Sequence, residues 1–456
     1  MSSFVNHRED SAVTVDEALT KDSVTYYRIT VKVGPVRWNV LHRYSDFVEL
    51  HEKLVADHGV AKELLPPKKV IRNKTPKFVE HRREALSDYL KNVFNYLKLM
   101  MPSEFAHFLD FHLYDILFLL QDLAKTLFLE GDKLLQNERS HNFSPMEVSL
   151  HAISERLKMA CPPMEKQDQM YDFSHVLDFC SQLRSLNIEG SYEKLGTSNI
   201  VPNDLHFDLI PFKSLVDLKI LGNYITEFVL GGLRDTLVSL SVLTASVISL
   251  NEFLLVDILH KDPSSIADTV VIHFRVVSIK MSLFFNNIQN VDWAIRLVPR
   301  LQHLSLSSNK LRELCDISCL HELRVLNLSM NSFAACENWH AKIGNIVKID
   351  LSQNKVESLQ GFSRLYSLES LDLSCNVITD VEEVQHICKL PCLEYLWLTA
   401  NPVASSIDYR VKVIEQFNAR MTEVCLDNEK ASEKELDTAR VLQALRVTIK
   451  SSLCLN

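Results

Sequence analysis

Residues 301–309 read Leu301-Gln302-His303-Leu304-Ser305-Leu306-Ser307-Ser308-Asn309, and the pattern Leu-x-x-Leu-x-Leu-x-x-Asn recurs downstream. The further copies are Leu323, Leu326, Leu328, Asn331; Ile346, Ile349, Leu351, Asn354; Leu368, Leu371, Leu373, Asn376; and Leu393, Leu396, Leu398, Asn401. The asparagines are spaced by 22, 23, 22 and 25 residues. Such a period gives one short strand per copy, with leucines that close a core no single copy can close alone. Asparagine carries a donor and an acceptor, so it can satisfy backbone at each turn and pair with the turn of the next copy. Weaker copies lie upstream at Leu183, Leu186, Ile188 and at Leu215, Leu218, Ile220, Asn223. Another is Leu237, Leu240, Val242, where Ala245 replaces the asparagine, and a last degenerate copy precedes Asn286. The 41 residues from Ala245 to Asn286 exceed one period, so this stretch is either an insertion or an unrecognised repeat.

The period is that of leucine-rich repeats, here assigned to residues 181–402, with the uncertain stretch at about 246–285. Residues 403–456 then read as C-terminal cap helices and a tail, because the final repeat would otherwise expose apolar core. Alternate strand positions face outward. They place Ser305, Asn327, Asp350, Asp372 and Trp397 in one column and His303, Val325, Lys348, Ser370 and Tyr395 in the next. Tyr395 and Trp397, with Asp350 and Asp372, are candidates for protein binding; the alternative is that both rings pack against the cap.

Composition removes most enzyme classes. Only 10 of 456 residues are glycine, and none falls in a G-x-G-x-x-G, G-x-x-x-x-G-K-[ST] or G-x-S-x-G motif. His51-Glu52 and His321-Glu322 lack the second histidine of H-E-x-x-H, so no catalytic residue, metal site or cofactor is expected. The 10 cysteines contain no C-x-x-C and read as reduced, buried thiols. Lys plus Arg is 49 against 58 Asp plus Glu, a net charge of -9, which disfavours nucleic acid as a partner. The start of the chain lacks a signal-peptide core, and Ile116–Leu129 is interrupted by Gln121, Asp122 and Lys125, so no transmembrane segment is expected.

Residues 1–110 carry 17 basic and 15 acidic side chains and differ in sign from the rest. Tyr27, Ile29, Val31 and Val33 alternate as in a half-buried strand, Gly34-Pro35 turns the chain, and Val36, Trp38 and Val40 return. Ser45 can cap a helix with Phe47, Leu50 and Leu54 on one face, and a longer helix follows with Phe78, Leu86, Tyr89, Leu90, Val93 and Leu97 inward. Strands followed by helices suggest an α+β domain over residues 19–115, after an N-terminal tail at 1–18 and before a helical connector at 116–180. Between Lys68 and Arg83 there are seven basic residues and one acidic one, a concentrated field for an anionic surface.

His42-Arg43-Tyr44-Ser45-Asp46-Phe47, Leu65-Pro66-Pro67-Lys68-Lys69 and Arg82-Arg83-Glu84-Ala85-Leu86 together resemble a phox-homology (PX) domain. The resemblance implies binding of a phosphoinositide, most often the 3-phosphorylated monophosphate. By motif position Arg43 would grip the 3-phosphate, Tyr44 would stack beneath the inositol ring, Lys69 would meet the 1-phosphate and Arg82 the ring hydroxyls. Lys68, Arg72, Lys74, Lys77 and Arg83 form a secondary basic patch, with Val70, Ile71 and Phe78 available for bilayer insertion. The competing reading pairs Arg43 with Asp46 and leaves the basic run as a solvated face.

Further stretches, among them Gly196-Thr197-Ser198-Asn199-Ile200 and Glu423-Val424-Cys425-Leu426-Asp427, resemble the nischarin family. That resemblance implies a cytoplasmic scaffold, peripheral on early and recycling endosomes, that binds integrin cytoplasmic tails and restrains Rac and p21-activated-kinase signalling in cell migration. Members of that family continue far past the repeats, which implies a short homologue or isoform. The expectation is a multidomain, non-enzymatic adaptor: an α+β PX domain, a helical connector and an α/β leucine-rich-repeat solenoid. The alternative is a soluble repeat scaffold whose PX domain does not bind lipid specifically.

Overall fold

The computed structural model describes residues 1–22, 24–68, 75–136, 147–159, 169–222, 233, 235–245, 247–254 and 280–453. It divides into two compact units, Met1–Leu183 with Ile188–Pro211, and Arg184–Asn187 with Phe212–Asn456.

The first unit is built on an antiparallel sheet of β1 (Ser11–Lys21), β2 (Val24–Val33) and β3 (Val36–Arg43), in that order. Tyr27, Ile29, Val31 and Val33 of β2 and Trp38 and Val40 of β3 are buried, as their alternation requires. The expected tail over residues 1–18 is not a tail. Ser11 pairs with Val33 and Lys21 with Val24, and Phe4 packs edge-on against Phe94 and Phe111. A bulge between Val15 and Glu17 shifts the inward positions from Val13 and Val15 to Ala18, which hides the period-two signal.

Helices α1 (Tyr44–His58) and α2 (Pro76–Leu97) share one core with the sheet through Phe47, Leu50, Leu54, Leu86, Tyr89, Leu90, Val93 and Leu97. Ser45 does not cap α1. The Arg43 N–H donates to Asp46 Oδ2 at 2.9 Å, and Ser45 Oγ donates to the other oxygen of Asp46 at 3.0 Å. Helices α3 (Ser103–Phe108), α4 (Phe111–Tyr114), α5 (Ile116–Gln136), α6 (Glu147–Lys158) and α7 (Ser174–Gln182) complete this unit. The outer edge of β3 is met by a loop over residues 195–200. Asn199 Oδ1 accepts from Arg37 N at 2.8 Å, Asn199 N donates to Arg37 O at 3.1 Å, and Thr197 Oγ1 engages both backbone groups of Asn39. An otherwise open strand edge is thereby satisfied.

In the second unit the sheet runs β4 (Ser185–Glu189), β5 (Asp217–Leu221), β6 (Ser239–Leu243), β7 (Lys280–Ser282), β8 (His303–Ser305), β9 (Val325–Asn327), β10 (Lys348–Asp350), β11 (Ser370–Asp372), β12 (Tyr395–Trp397), β13 (Cys425–Leu426) and β14 (Glu429–Lys430). Pairing is parallel from β5 to β13. Leu240 of β6 pairs directly with Met281 of β7, so the two strands are neighbours in the sheet and β7 itself falls inside the uncertain stretch at 246–285. Of the residues between the two strands, a short helix α8 (Asn251–Leu254) is described.

Each asparagine reaches back to the preceding copy, not forward. Asn354 donates to Leu328 O at 3.0 Å and accepts from Phe333 N at 3.0 Å, while also donating to Leu351 O in its own turn. Asn309, Asn331, Asn376 and Asn401 repeat this arrangement. The left-handed position is the residue before each asparagine: Phe285, Ser308, Met330, Gln353, Cys375 and Ala400 have φ between 55° and 57°. The strained torsion thus belongs to the residue before the asparagine, which ties it down. Asn223 lies outside the described residues.

After a short helix α9 (Trp339–Lys342) within the repeats, the final strand is closed by α10 (Tyr409–Gln416) and α11 (Glu433–Leu453). Arg420 donates to the carbonyls of Leu390 and Leu393, and Arg410 bridges Glu435 and the Leu426 carbonyl, both at 2.8 Å. These bonds terminate the backbone ladder that the last copy leaves open.

Candidate functional site

Three separated stretches of the first unit converge on Tyr44. Its hydroxyl donates to the Pro66 carbonyl at 2.5 Å, which ties the start of α1 to the Pro66-Pro67 segment. The guanidinium of Arg82, from α2, lies over the Tyr44 ring, 4.3 Å from its centroid. Phe78, one turn earlier on α2, covers the same guanidinium at 4.4 Å. The i, i+4 spacing puts Phe78 and Arg82 on one face of the helix.

Arg82 is 8% exposed, and among the described residues no carboxylate pairs with it. Its Nη2 atom is buried with no hydrogen-bond partner among them. A buried cation left without a counter-charge costs several kcal/mol, and stacking on aromatic faces offsets about 2 kcal/mol of that when desolvated. Burial pushes the Tyr27 and Tyr44 phenols up, against the pull of Arg82 in both cases. The guanidinium thus lies against two rings and is bonded by Tyr27, and its buried Nη2 is the group left for an oxygen-rich ligand to satisfy.

Arg43 is the exposed member, with 52% of its side chain open to solvent and Nη2 at 3.5 Å from Asp46 Oδ1. This is the ion pair of the competing reading, made on the surface, where such pairs contribute about 1 kcal/mol or less. Burial pushes the Asp46 carboxyl up, but the Arg43 N–H, Ser45, the Arg43 charge and His42 together bring it below its ordinary range. Lys68 and Lys77 are exposed. Lys69, Arg72 and Lys74, with Val70 and Ile71, lie outside the described residues. Arg83 is engaged elsewhere: Nε pairs with Glu80 at 2.8 Å and Nη1 donates to the Val15 carbonyl of β1 at 2.6 Å. It pins α2 to the sheet, so it does not belong with the free cations of the patch.

The first unit also matches a known domain family over part of its length. Residues 31–112 are a PX domain. The PX segment is 29% identical over 91 residues to the serine/threonine-protein kinase Sgk3 of Rattus norvegicus, covering 20% of this chain and 18% of the kinase. It is 34% identical over 85 residues to the kinesin-like protein KIF16B of Mus musculus, covering 18% of this chain and 6% of the kinesin. The X-ray structure of a designed CISK-PX domain matches with 29% identity and a TM-score of 0.20, covering 21% of this chain and 95% of that one. The chain thus spans less than a fifth of the length of these curated relatives.

In the second unit, strand register brings Asn327, Asp350, Asp372 and Trp397 into one row and Lys348, Ser370 and Tyr395 into the next. Asp350 and Asp372 each spend Oδ1 on a local turn, accepting from the N–H and hydroxyl of Ser352 and of Ser374. Tyr395 and Trp397 stack with centroids 6.1 Å apart, Tyr395 is 46% exposed, and Trp397 Nε1 donates to Asn428 at 3.0 Å. One ring is tied to the cap and the other is open. Among the described residues no group of His, Cys, Asp or Glu could hold a metal ion, and no helix is long and apolar enough to cross a membrane. The described cysteines are unpaired, and burial pushes Cys180 and Cys336 up to about 12, but Cys375 and Cys392 are exposed, against the expectation of buried thiols.

Proposed function

We propose that the PX domain binds a phosphorylated inositol headgroup and that the chain is a non-enzymatic, membrane-peripheral adaptor. The observation that carries this is Arg82, buried against Tyr44 and Phe78 with its Nη2 unpartnered, beside an exposed Arg43. Arginine's planar fork matches phosphate and hydroxyl oxygens, and a ligand that fills the Arg82 edge relieves a standing desolvation cost. The favoured ligand is phosphatidylinositol 3-phosphate, with Arg43 on the phosphate and Arg82 on ring hydroxyls, and the corresponding membrane is endosomal. One face of Tyr44 is covered by Arg82, so a ring stacked on Tyr44 would use its other face.

In the same reading the second unit is a set of leucine-rich repeats that present the rows around Tyr395 to a protein partner. The 22- to 25-residue asparagine spacing and the backward-reaching asparagine bonds support the repeat assignment. The nischarin-like role, with integrin tails and Rac and p21-activated-kinase signalling, rests on the sequence resemblance alone.

The test is a panel of phosphoinositide vesicles at matched surface charge. Wild type is expected to prefer 3-phosphorylated vesicles, and Arg43→Ala to lose at least about tenfold, as one charge-assisted phosphate contact implies. Equal binding to every anionic vesicle, unchanged in Arg43→Ala, overturns the proposal.

A further inference from the structure

Beside Arg43, His42 has a single geometry open to it. Its ring stacks on Phe108 with centroids 3.9 Å apart and planes 12° from parallel, and Nε2 is 2.7 Å from the Phe108 carbonyl oxygen. A carbonyl only accepts, so Nε2 carries the hydrogen and the neutral ring presents a bare Nδ1. Nδ1 lies 3.6 Å from Asp46 Oδ2, the carboxylate that also holds the Arg43 guanidinium through Oδ1. A lone pair facing a carboxylate gains nothing; an Nδ1–H facing it forms an ion pair.

We infer that His42 and Asp46 are positioning residues for Arg43, and that proton uptake by His42 draws Asp46 away from the guanidinium and strengthens anion capture. The inference rests on the phosphate-binding reading of the PX site. The other charged groups facing His42 are Arg43 itself and Asp110 at the joint of α3 and α4, with His107 and His112 beside Asp110. The remaining sides are the rings of Phe47 and Phe108. Linkage fixes the sign. If protonated His42 releases Arg43 to the ligand, the ligand favours protonation, and affinity falls as pH rises. The chemistry sensed is a phosphomonoester, from a lipid headgroup or from a soluble phosphate.

The experiment measures the full chain from pH 6 to pH 8 as wild type, His42→Gln and Asp46→Asn. One arm uses vesicles containing phosphatidylinositol 3-phosphate and the other inorganic phosphate alone. His42→Gln keeps a donor for the Phe108 carbonyl, Asp46→Asn keeps an acceptor for the Arg43 N–H, and thermal melts verify folding. Phosphate titrates in the same range, so the readout is the ratio of wild type to variant at each pH. Wild type is expected to lose on the order of fivefold more affinity than either variant across the range. Asp46→Asn is expected to bind more tightly than wild type at pH 8, which a merely structural role would not produce. Parallel profiles for all three proteins overturn the inference while leaving lipid binding intact. A pH difference with phosphate but no vesicle binding supports the inference and overturns the lipid reading. Folded proteins that bind in neither arm overturn both.

Discussion

The Arg82 guanidinium sits 4.3 Å above the Tyr44 ring and 4.4 Å from that of Phe78, so a buried cation is held by two aromatic faces instead of a carboxylate. A charge held this way keeps Nη2 without a protein partner, whereas a carboxylate would occupy it and lower the affinity for any incoming anion. Phe78 is then a positioning residue. Phe78→Leu, which keeps bulk and loses the ring face, is expected to weaken headgroup binding by about fivefold for one cation–π contact, with little change in thermal stability. Vesicle sedimentation alongside a thermal melt checks both halves of that statement.

The buried carboxyl of Asp115 makes the first unit pH-sensitive. Its side chain accepts from Ser2 Oγ at 2.8 Å, Phe4 N at 2.6 Å and Leu117 N at 3.1 Å, yet burial outweighs these bonds and pushes it up to about 6. A carboxyl raised on folding stabilises the protein most below its unfolded value near 4, and that stability is lost as pH rises through about 6. Denaturant unfolding of wild type and Asp115→Asn is expected to show wild type losing on the order of 2–3 kcal/mol relative to the variant between pH 4 and pH 7. A difference that does not change with pH would contradict this.

The loop at residues 195–200 closes the β3 edge through side chains as well as backbone. Asn199→Ala removes the acceptor for Arg37 N and the donor to the Pro35 carbonyl, and is expected to destabilise the first unit by about 1–3 kcal/mol. A domain ending at residue 115 lacks the loop entirely and is expected to self-associate more readily than one ending at 211, since it leaves a strand edge unpaired. Light scattering on the two fragments decides this.

Within the repeats the strained residue and the residue that holds it are separable. Asn354→Leu strands several buried backbone groups and is expected to cost about 3 kcal/mol or more. Gln353→Gly, at an exposed position with φ 55°, is expected to stabilise by about 1 kcal/mol because only glycine adopts that torsion without a Cβ clash. Chemical denaturation of the full chain gives both signs.

Legibility followed the strength of the local signal. Leu304, Leu326, Ile349, Leu371 and Leu396 announce themselves by period, and the structure places each at the centre of a three-residue strand. The β1 strand was hidden because its bulge breaks the alternation between Val15 and Ala18. The α1 cap departs from the sequence pattern because Ser45 is the usual capping type, while Asp46 acts from inside the first turn. No composition rule marks Phe285, Met330, Gln353 or Ala400 as left-handed; the asparagine bonds that impose the torsion come from the copy as a whole. At the candidate site, Arg43, Tyr44 and Arg82 were singled out by motif. Phe78 carries only a core or bilayer-facing signal in the sequence, because nothing local says that it shares a guanidinium with a residue from α1. His42 stands in the quoted motif without a role, since its tautomer is fixed by a carbonyl 66 residues away.

In the proposed complex a phosphoinositide headgroup satisfies the buried Nη2 of Arg82. Calorimetric titration of the full chain with soluble short-chain phosphatidylinositol 3-phosphate, for wild type and Arg82→Leu, tests it most directly. Saturable binding by wild type that falls at least about tenfold in a folded Arg82→Leu variant is the predicted result. Equal binding by the two proteins, or no binding by folded wild type, would contradict it.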